Sequence, residues 1–204
     1  MKSPIRLFVA ISVSISLTLS TQIGANAGDG ILFISNDQLD GYDRARFKLW
    51  IDANKNGCDT RAEVLIAEAI VKPKKAAKCK LTGGKWLSSY DGVKYSDASK
   101  LDIDHLVPLA EAWRSGAWAW TDQQRMEFAN DLEDSRSLLA VTASLNRSKG
   151  DRDVAAWLPI KAQCNYISNW IAVKWRFDLT VDPVEGEFLQ TKITDCKITN
   201  VVIN

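Results

Sequence analysis

The sequence predicts an α+β fold: a predominantly helical single domain around a strand–strand–helix (ββα) core. Three observations carry that prediction. Apolar residues recur at helical spacing through Ala162–Phe177 and Pro183–Leu189. Two β-like runs, Lys100 to Val107 and Ser137 to Val141, are separated by helical pattern, and a helix near Leu145 follows the second at once. Without a 27-residue leader, 177 of the 204 residues remain, a size that suits one substantial core.

The leader occupies residues 1–27. Lys2 and Arg6 precede an apolar, Ser-rich stretch from Leu7 to Leu19, and Ala25-Asn26-Ala27 places small residues where a signal peptidase acts. A secretory signal cut after Ala27 is expected, giving a secreted or periplasmic product with no membrane association. A retained anchor is disfavoured because the apolar run falls short of the ~20 residues a spanning helix needs and is broken by serines.

Residues 28–84 are read as an N-terminal helical region. Tyr42 to Trp50 predicts a short helix with Phe47 and Trp50 on one side, and Thr60 to Val71 a second with Val64, Leu65, Ala67 and Ala69 apolar. Pro73 breaks the latter, and the basic run Lys72 to Lys80 reads as a solvated connector in preference to a phosphate-facing patch. Residues 85–160 form the expected core. Asp91-Gly92 punctuates short β-like pieces, as Gly83-Gly84 does just before; helices over Leu109–Ala119 and Thr121–Asn130 lie between the two main strands. Residues 161–204 complete the domain as a C-terminal helical region. Of the tryptophans, Trp113, Trp118 and Trp120 cluster after the first strand; their spacing, like that of Trp157, Trp170 and Trp175, favours core packing over base stacking.

The leader carries two of the 26 basic residues and none of the 25 acids, so the mature chain is near neutral, at −1. That excludes a globally basic nucleic-acid binder and leaves room for a localised cleft. Cys58, Cys79, Cys164 and Cys196 are even in number, lack C-x-x-C spacing and head for an oxidising compartment, so two disulfides are expected. Of three connectivities, Cys58–Cys79 and Cys164–Cys196 is preferred because each pair joins neighbouring elements. The wide spacings disfavour zinc.

His105 is the single histidine of the chain. It ends the run Leu101-Asp102-Ile103-Asp104-His105, and Asn146-Arg147-Ser148-Lys149-Gly150-Asp151 follows at the expected helix. Asp104 and Asn146 are oxygen donors suited to one hard cation such as Mg²⁺, with Mn²⁺ as the alternative. A neutral imidazole outside the metal shell can take a proton from water. Adjacent strand residues point to opposite faces, so Asp104 and His105 share a site only if the strand bends or ends there, as Pro108 permits. Asp102 shares Asp104's face and is the runner-up ligand.

At these residues the chain resembles the HNH endonuclease superfamily, specifically the secreted bacterial HNH proteins of the DUF1524 type, over roughly Phe47 to Cys196. The resemblance is carried by Asn56-Gly57-Cys58-Asp59-Thr60-Arg61, Ile103-Asp104-His105-Leu106-Val107-Pro108 with the following Leu109 to Trp113, and Phe128-Ala129-Asn130-Asp131. It continues in Leu138-Leu139-Ala140-Val141, Asn146 to Asp151 and Ala156-Trp157-Leu158-Pro159. It implies a ββα-metal core, His105 as general base and Asp104 and Asn146 as metal ligands. Where the family has the middle asparagine of its name, this chain has Ser137; Ser137 or Asn130 could brace the base instead. Lys149, Arg147 and Arg61 are the candidate phosphate contacts.

Asp52, Asn54, Asn56 and Glu63 fit the EF-hand pattern D-x-N-x-N-G-x5-E. With two anionic ligands, and Cys58 at the seventh position, a turn that mimics the pattern is preferred to a Ca²⁺ site. The expectation is a secreted, metal-dependent HNH endonuclease acting on DNA, with RNA a second candidate and little sequence preference; its oligomeric state is open, with a monomer preferred. The non-enzymatic rival is a secreted calcium-dependent binding module using the Asp52–Glu63 loop. A two-histidine RNase is excluded by the lone histidine, and no G-x-S-x-G elbow is present.

Overall fold

The structure, a computed structural model, describes residues 30–199 and 201–203. The signal-peptide expectation lies outside the described residues. In chain order the elements are β1 (Gly30–Leu32), α1 (Thr60–Glu68), β2 (Lys74–Lys75), β3 (Leu81–Thr82), β4 (Trp86–Leu87), β5 (Lys94–Tyr95) and β6 (Leu101–His105). Then follow α2 (Leu109–Arg114), α3 (Asp122–Ala129), β7 (Leu138–Thr142), α4 (Ala143–Lys149), α5 (Gln163–Arg176), α6 (Pro183–Asp195) and β8 (Val201–Ile203). Mixed α and β elements around one continuous chain agree with the predicted class.

The central hairpin joins β6 and β7, antiparallel, with Asp104 opposite Leu139 and His105 opposite Leu138. Strand alternation sorts its side chains. Leu101 and Ile103, with Leu138 and Ala140 from β7, pack on Val64, Leu65 and Trp86 in one apolar cluster. Asp102 and Asp104 face α4. The larger cluster gathers Trp113, Phe128, Tyr166, Trp170 and Leu189 from α2, α3, α5 and α6.

Local chemistry sets the boundaries. Asp59 caps α1 by accepting from the Ala62 amide at 2.8 Å, a contact worth about 1 kcal/mol. Thr121 and Gln124 form a capping box on α3, and Asp182 caps α6 ahead of Pro183. Gly116, at φ +143°, ends the run after α2, so the predicted Leu109–Ala119 helix is a six-residue helix followed by a 3₁₀ turn. Fully buried Lys174 joins α2, α5 and α6 by donating to Glu111 (2.6 Å), Glu185 (2.6 Å) and the Thr180 carbonyl (2.8 Å).

Several expectations are corrected. Tyr42–Trp50 is not a helix: only Arg44–Arg46 form a 3₁₀ turn, Phe47 is extended and Trp50 sits in the left-handed region at φ +53°. Buried Phe47 and half-buried Trp50 supplied the apolar spacing without helical backbone. The helix from Thr60 stops at Glu68, with Ala69 extended, and Ala67, within the helix, is exposed while Val64 and Leu65 are buried. The lysines of Lys72–Lys80 are exposed, as the solvated reading expects, but the run is not a plain connector, since it contains β2 and the turn that leads to β3. Trp118 is 52 % exposed and leaves the core its spacing suggested. The parallel pairing of β1 with β8 was not foreseen. Disulfides join Cys58 to Cys79 and Cys164 to Cys196, the preferred connectivity.

Candidate active site

The site grows from the β6–β7–α4 unit. Leu106 donates one more ladder bond to the Ser137 carbonyl (3.0 Å), and Pro108, which has no amide hydrogen, ends the strand. With no loop after β7, α4 lies directly against β6. Gly150 at φ +58° stops it, its amide closing on the Asn146 carbonyl at 3.0 Å. Asn146 and Lys149, three residues apart, share a helix face, and Asp102 and Asp104, two apart, share a strand face. The faces meet pairwise. Asn146 Nδ2 lies 3.4 Å from Asp102 Oδ2, and Lys149 Nζ lies 2.6 Å from Asp104 Oδ2.

Lys149 is fully buried and its three donors are spent, on Asp104, the His105 carbonyl (2.9 Å) and the Leu106 carbonyl (2.8 Å). No donor remains for a phosphate, which corrects that expectation. Lys149 anchors the strand end to α4. Tyr90 also donates to Asp104 Oδ2. Burial raises the Asp104 pKa and lowers that of Lys149, while each partner opposes the other's shift. Asn146 contacts Asp102, the runner-up ligand, while Asp104 is held by Lys149 and Tyr90.

His105 faces the other side of the hairpin. Its ring stacks on Trp50 (centroids 5.5 Å apart, 20° between planes) and lies near-parallel to Phe128 at 6.3 Å. Nε2 is 2.9 Å from the Ala129 carbonyl. A carbonyl only accepts, so Nε2 carries the hydrogen and Nδ1 keeps the lone pair. Burial lowers the pKa to about 4, which the Ala129 bond opposes and the Arg44 and Lys149 charges assist, so the ring is neutral at pH 7.

The bracing question has two answers. Asn130, next to Ala129, accepts from Thr60 Oγ1 (2.7 Å) and the Ile51 amide (3.2 Å) and donates to the Lys48 (2.7 Å) and Met126 (2.8 Å) carbonyls. Ser137 donates to Asp131 at 2.7 Å, and Arg176 holds the same carboxylate. Both residues thereby fix the segments around the histidine.

Other candidates lie farther out. Arg147 is exposed, with Nε 3.4 Å from Asp102. Arg61 ties α1 to the Leu101 (2.9 Å) and Ala98 (3.4 Å) carbonyls and lines a cleft of about 440 Å³ with Trp50 and Lys78. In the EF-hand-like loop Asp52 accepts from the Asn56 and Gly57 amides, Asn54 from the Asn56 amide, and Asn56 Nδ2 donates to Glu63 at 2.6 Å. The loop thus satisfies its own polar groups. Sequence reasoning missed Tyr90, Trp50 and the Ala129 carbonyl; the first two lie in segments without a chemical signal, and the third is a backbone atom of a family-like segment whose residue identity does not reveal it.

The candidate site is thus a strand–strand–helix unit with a histidine at the end of its first strand, and comparison with known sequences places the chain in a nuclease family. Residues 59–189 match the model of the family described as GmrSD restriction endonucleases, C-terminal domain, and the chain belongs to that family. An uncharacterized secreted protein of the fungus Arthroderma benhamiae is 41 % identical over 159 residues, covering 77 % of this chain and 76 % of that one. No solved structure matches.

Proposed function

We propose that this protein is a secreted, metal-dependent endonuclease of the HNH, DUF1524 type that hydrolyses phosphodiester bonds in DNA, with RNA as a second substrate class and little sequence preference. The observation that carries the reading is His105: the last residue of β6 in a β6–β7–α4 unit, neutral at pH 7, with its tautomer fixed by the Ala129 carbonyl. Nδ1 takes a proton from water, the resulting hydroxide attacks phosphorus, and the bridging 3′ oxygen leaves. Family membership and the name of the fungal relative support nuclease chemistry and secretion respectively.

The residues present fit one hard cation held by few protein oxygens. Among the described residues no group of three or more His, Cys, Asp or Glu side chains gathers, so the metal reading rests on Asp102, Asp104 and Asn146 alone. Asn146 and the part-exposed Asp102 stand together, and Asp104 offers the carboxylate oxygen that Lys149 and Tyr90 leave free. Mg²⁺, or Mn²⁺, would supply charge stabilisation for the pentavalent state and the leaving oxygen. Arg147 and Arg61 remain the phosphate-facing cations.

The test is incubation of purified mature protein with plasmid DNA and with RNA, each with Mg²⁺, Mn²⁺ or EDTA. Cleavage that EDTA abolishes and Mg²⁺ or Mn²⁺ restores supports the reading. Cleavage indifferent to EDTA, or none under any condition, overturns it.

A further inference from the structure

Between residues 72 and 100 the chain carries eight lysines, Lys72, Lys74, Lys75, Lys78, Lys80, Lys85, Lys94 and Lys100, against two acids, Asp91 and Asp97. That segment is +6 in a protein whose total is +1, so the remainder sums to −5. All eight are exposed, and among the described residues none forms an ion pair, whereas Arg114, Arg125, Arg136, Lys149, Lys174 and Arg176 all do. Only Lys72 has a local task, donating to the Ile66 (2.7 Å) and Ala67 (3.0 Å) carbonyls at the end of α1. The two acids are occupied: Asp91 accepts from Thr142 and the Val93 amide, and Asp97 from the Ser99 amide.

These lysines stand on connected backbone. The β2–β3 and β4–β5 hairpins are tied by the bridge of Val71 to Lys85, and Trp86 roots them in the apolar cluster beneath β6 and β7. The Cys58–Cys79 disulfide pins the β2–β3 tip to the turn before α1. There Lys78 enters the lining of the 440 Å³ cleft with Arg61, Ala98 and Trp50, whose ring also stacks on His105. Asp52 and Asp59 line the cleft too and balance Arg61 and Lys78 there, so the excess of cations lies on the hairpins and not in the cleft. A concentration of unpaired cations on two tied hairpins, one of which reaches the cleft that Trp50 lines, is what a polyphosphate backbone needs.

We propose that the two lysine-bearing hairpins form a docking surface for the sugar–phosphate backbone of a nucleic acid, guiding it into the cleft lined by Trp50, Arg61 and Lys78. The inference rests on the nuclease reading for the identity of the polyanion. Its energetics are those of counterion release, sequence-independent and steeply salt-dependent, and they reconcile a near-neutral protein with a charged substrate.

The test measures binding of a short labelled DNA duplex to the His105→Ala protein across about 50–200 mM salt. It is compared with the same protein carrying Lys74→Gln, Lys75→Gln and Lys80→Gln, all on exposed positions, and with a charge control carrying Lys192→Gln and Lys197→Gln. The triple substitution should weaken binding severalfold or more near 0.1 M salt and reduce the log–log salt slope by about 1–2, at roughly 0.9 per phosphate contact, because adjacent Lys74 and Lys75 leave opposite faces of β2. Thermal melts matching the parent establish that it folds. An unchanged slope, an equal loss in the control, or capture by phosphatidylserine vesicles in place of DNA overturns the docking surface. The two readings fail separately. Cleavage by the His105 protein with KM indifferent to the triple substitution removes the surface and keeps the nuclease, whereas lysine-dependent binding without cleavage of plasmid or RNA does the reverse.

Discussion

Lys149→Met separates two roles that the sequence alone could not: a phosphate contact and an internal anchor. The substitution keeps the aliphatic stem and removes a fully buried ammonium whose partners are the Asp104 carboxylate and the carbonyls of His105 and Leu106. Breaking a buried ion pair by deleting one partner typically costs about 3–5 kcal/mol, because the other charge is left uncompensated. Two carbonyls also lose their donor; protonation of Asp104, already favoured by burial, limits the total, so about 4 kcal/mol is the working figure. At about 2–4 °C per kcal/mol for a domain of this size, the melting temperature should fall by about 8–16 °C. The assay is thermal unfolding followed by circular dichroism at pH 7, with plasmid cleavage measured below the transition. Adding Asp104→Asn to Lys149→Met removes the orphaned charge, so the double variant should be more stable than the sum of the two single losses. A Lys149→Met protein that melts within about 2 °C of the parent yet no longer cleaves would refute the anchor and return the ammonium to the substrate.

His105→Ala should lower the melting temperature, since it removes a buried ring stacked on Trp50 and the partner of the Ala129 carbonyl, yet leave a folded protein whose cleavage is down by ~10²–10⁴-fold, the usual loss of general-base help; near-parental cleavage by the folded variant sinks that assignment. In Mg²⁺ titrations of cleavage, Asp102→Ala, Asp104→Ala and Asn146→Ala should each raise the midpoint, with losses that do not add, whereas Asp52→Ala should leave it in place; the reverse pattern would move the ion to the N-terminal loop. The Glu68 carboxyl is pushed up to about 7 by burial, which the Ala140 amide bond only partly offsets. Its folded pKa lies above the unfolded value of 4.5, so its contribution to stability is complete below 4.5 and lost as pH rises to about 7. The loss is at most about 3 kcal/mol, and Glu68→Gln should flatten denaturant-measured stability across that window. Peptide mapping without reduction should recover Cys58–Cys79 and Cys164–Cys196 peptides, and reduction should lower stability by about 2–5 kcal/mol.

Much of the architecture was legible because it is written in local rules. Thr121 with Gln124, Asp182 with Pro183 and the Asn146-to-Gly150 turn announce helix ends, and alternation in Leu101–His105 announces a strand with one apolar face. The Tyr42–Trp50 segment misled because two aromatic side chains at helical spacing reach the core from irregular backbone, one of them through a left-handed residue. The β1–β8 pairing joins residues about 170 apart, and no local signal encodes it. At the site, residue types were readable and partners were not. His105 was identifiable as the only imidazole, but the carbonyl that sets its tautomer belongs to Ala129, an identity that says nothing about a backbone oxygen.

The division of labour between the two aspartates follows from a mismatch of periods. Residues three apart on a helix advance about 4.5 Å, and residues two apart on a strand about 6.6 Å, so a helix laid beside a strand can pair two residues with two only by giving each its own partner. Asn146 takes Asp102 and Lys149 takes Asp104. The consequence is electrostatic. A cation approaching Asp104 meets an ammonium 2.6 Å from one carboxylate oxygen, while one approaching Asp102 and Asn146 meets only the exposed Arg147, which can swing away. An ion proposed at Asp104 would have only the oxygen that Lys149 and Tyr90 leave free and a fixed positive neighbour, whereas Asp102 and Asn146 carry no such penalty. The same ammonium bonds the carbonyls of His105 and Leu106, so the charge beside Asp104 also fixes the strand end that carries His105.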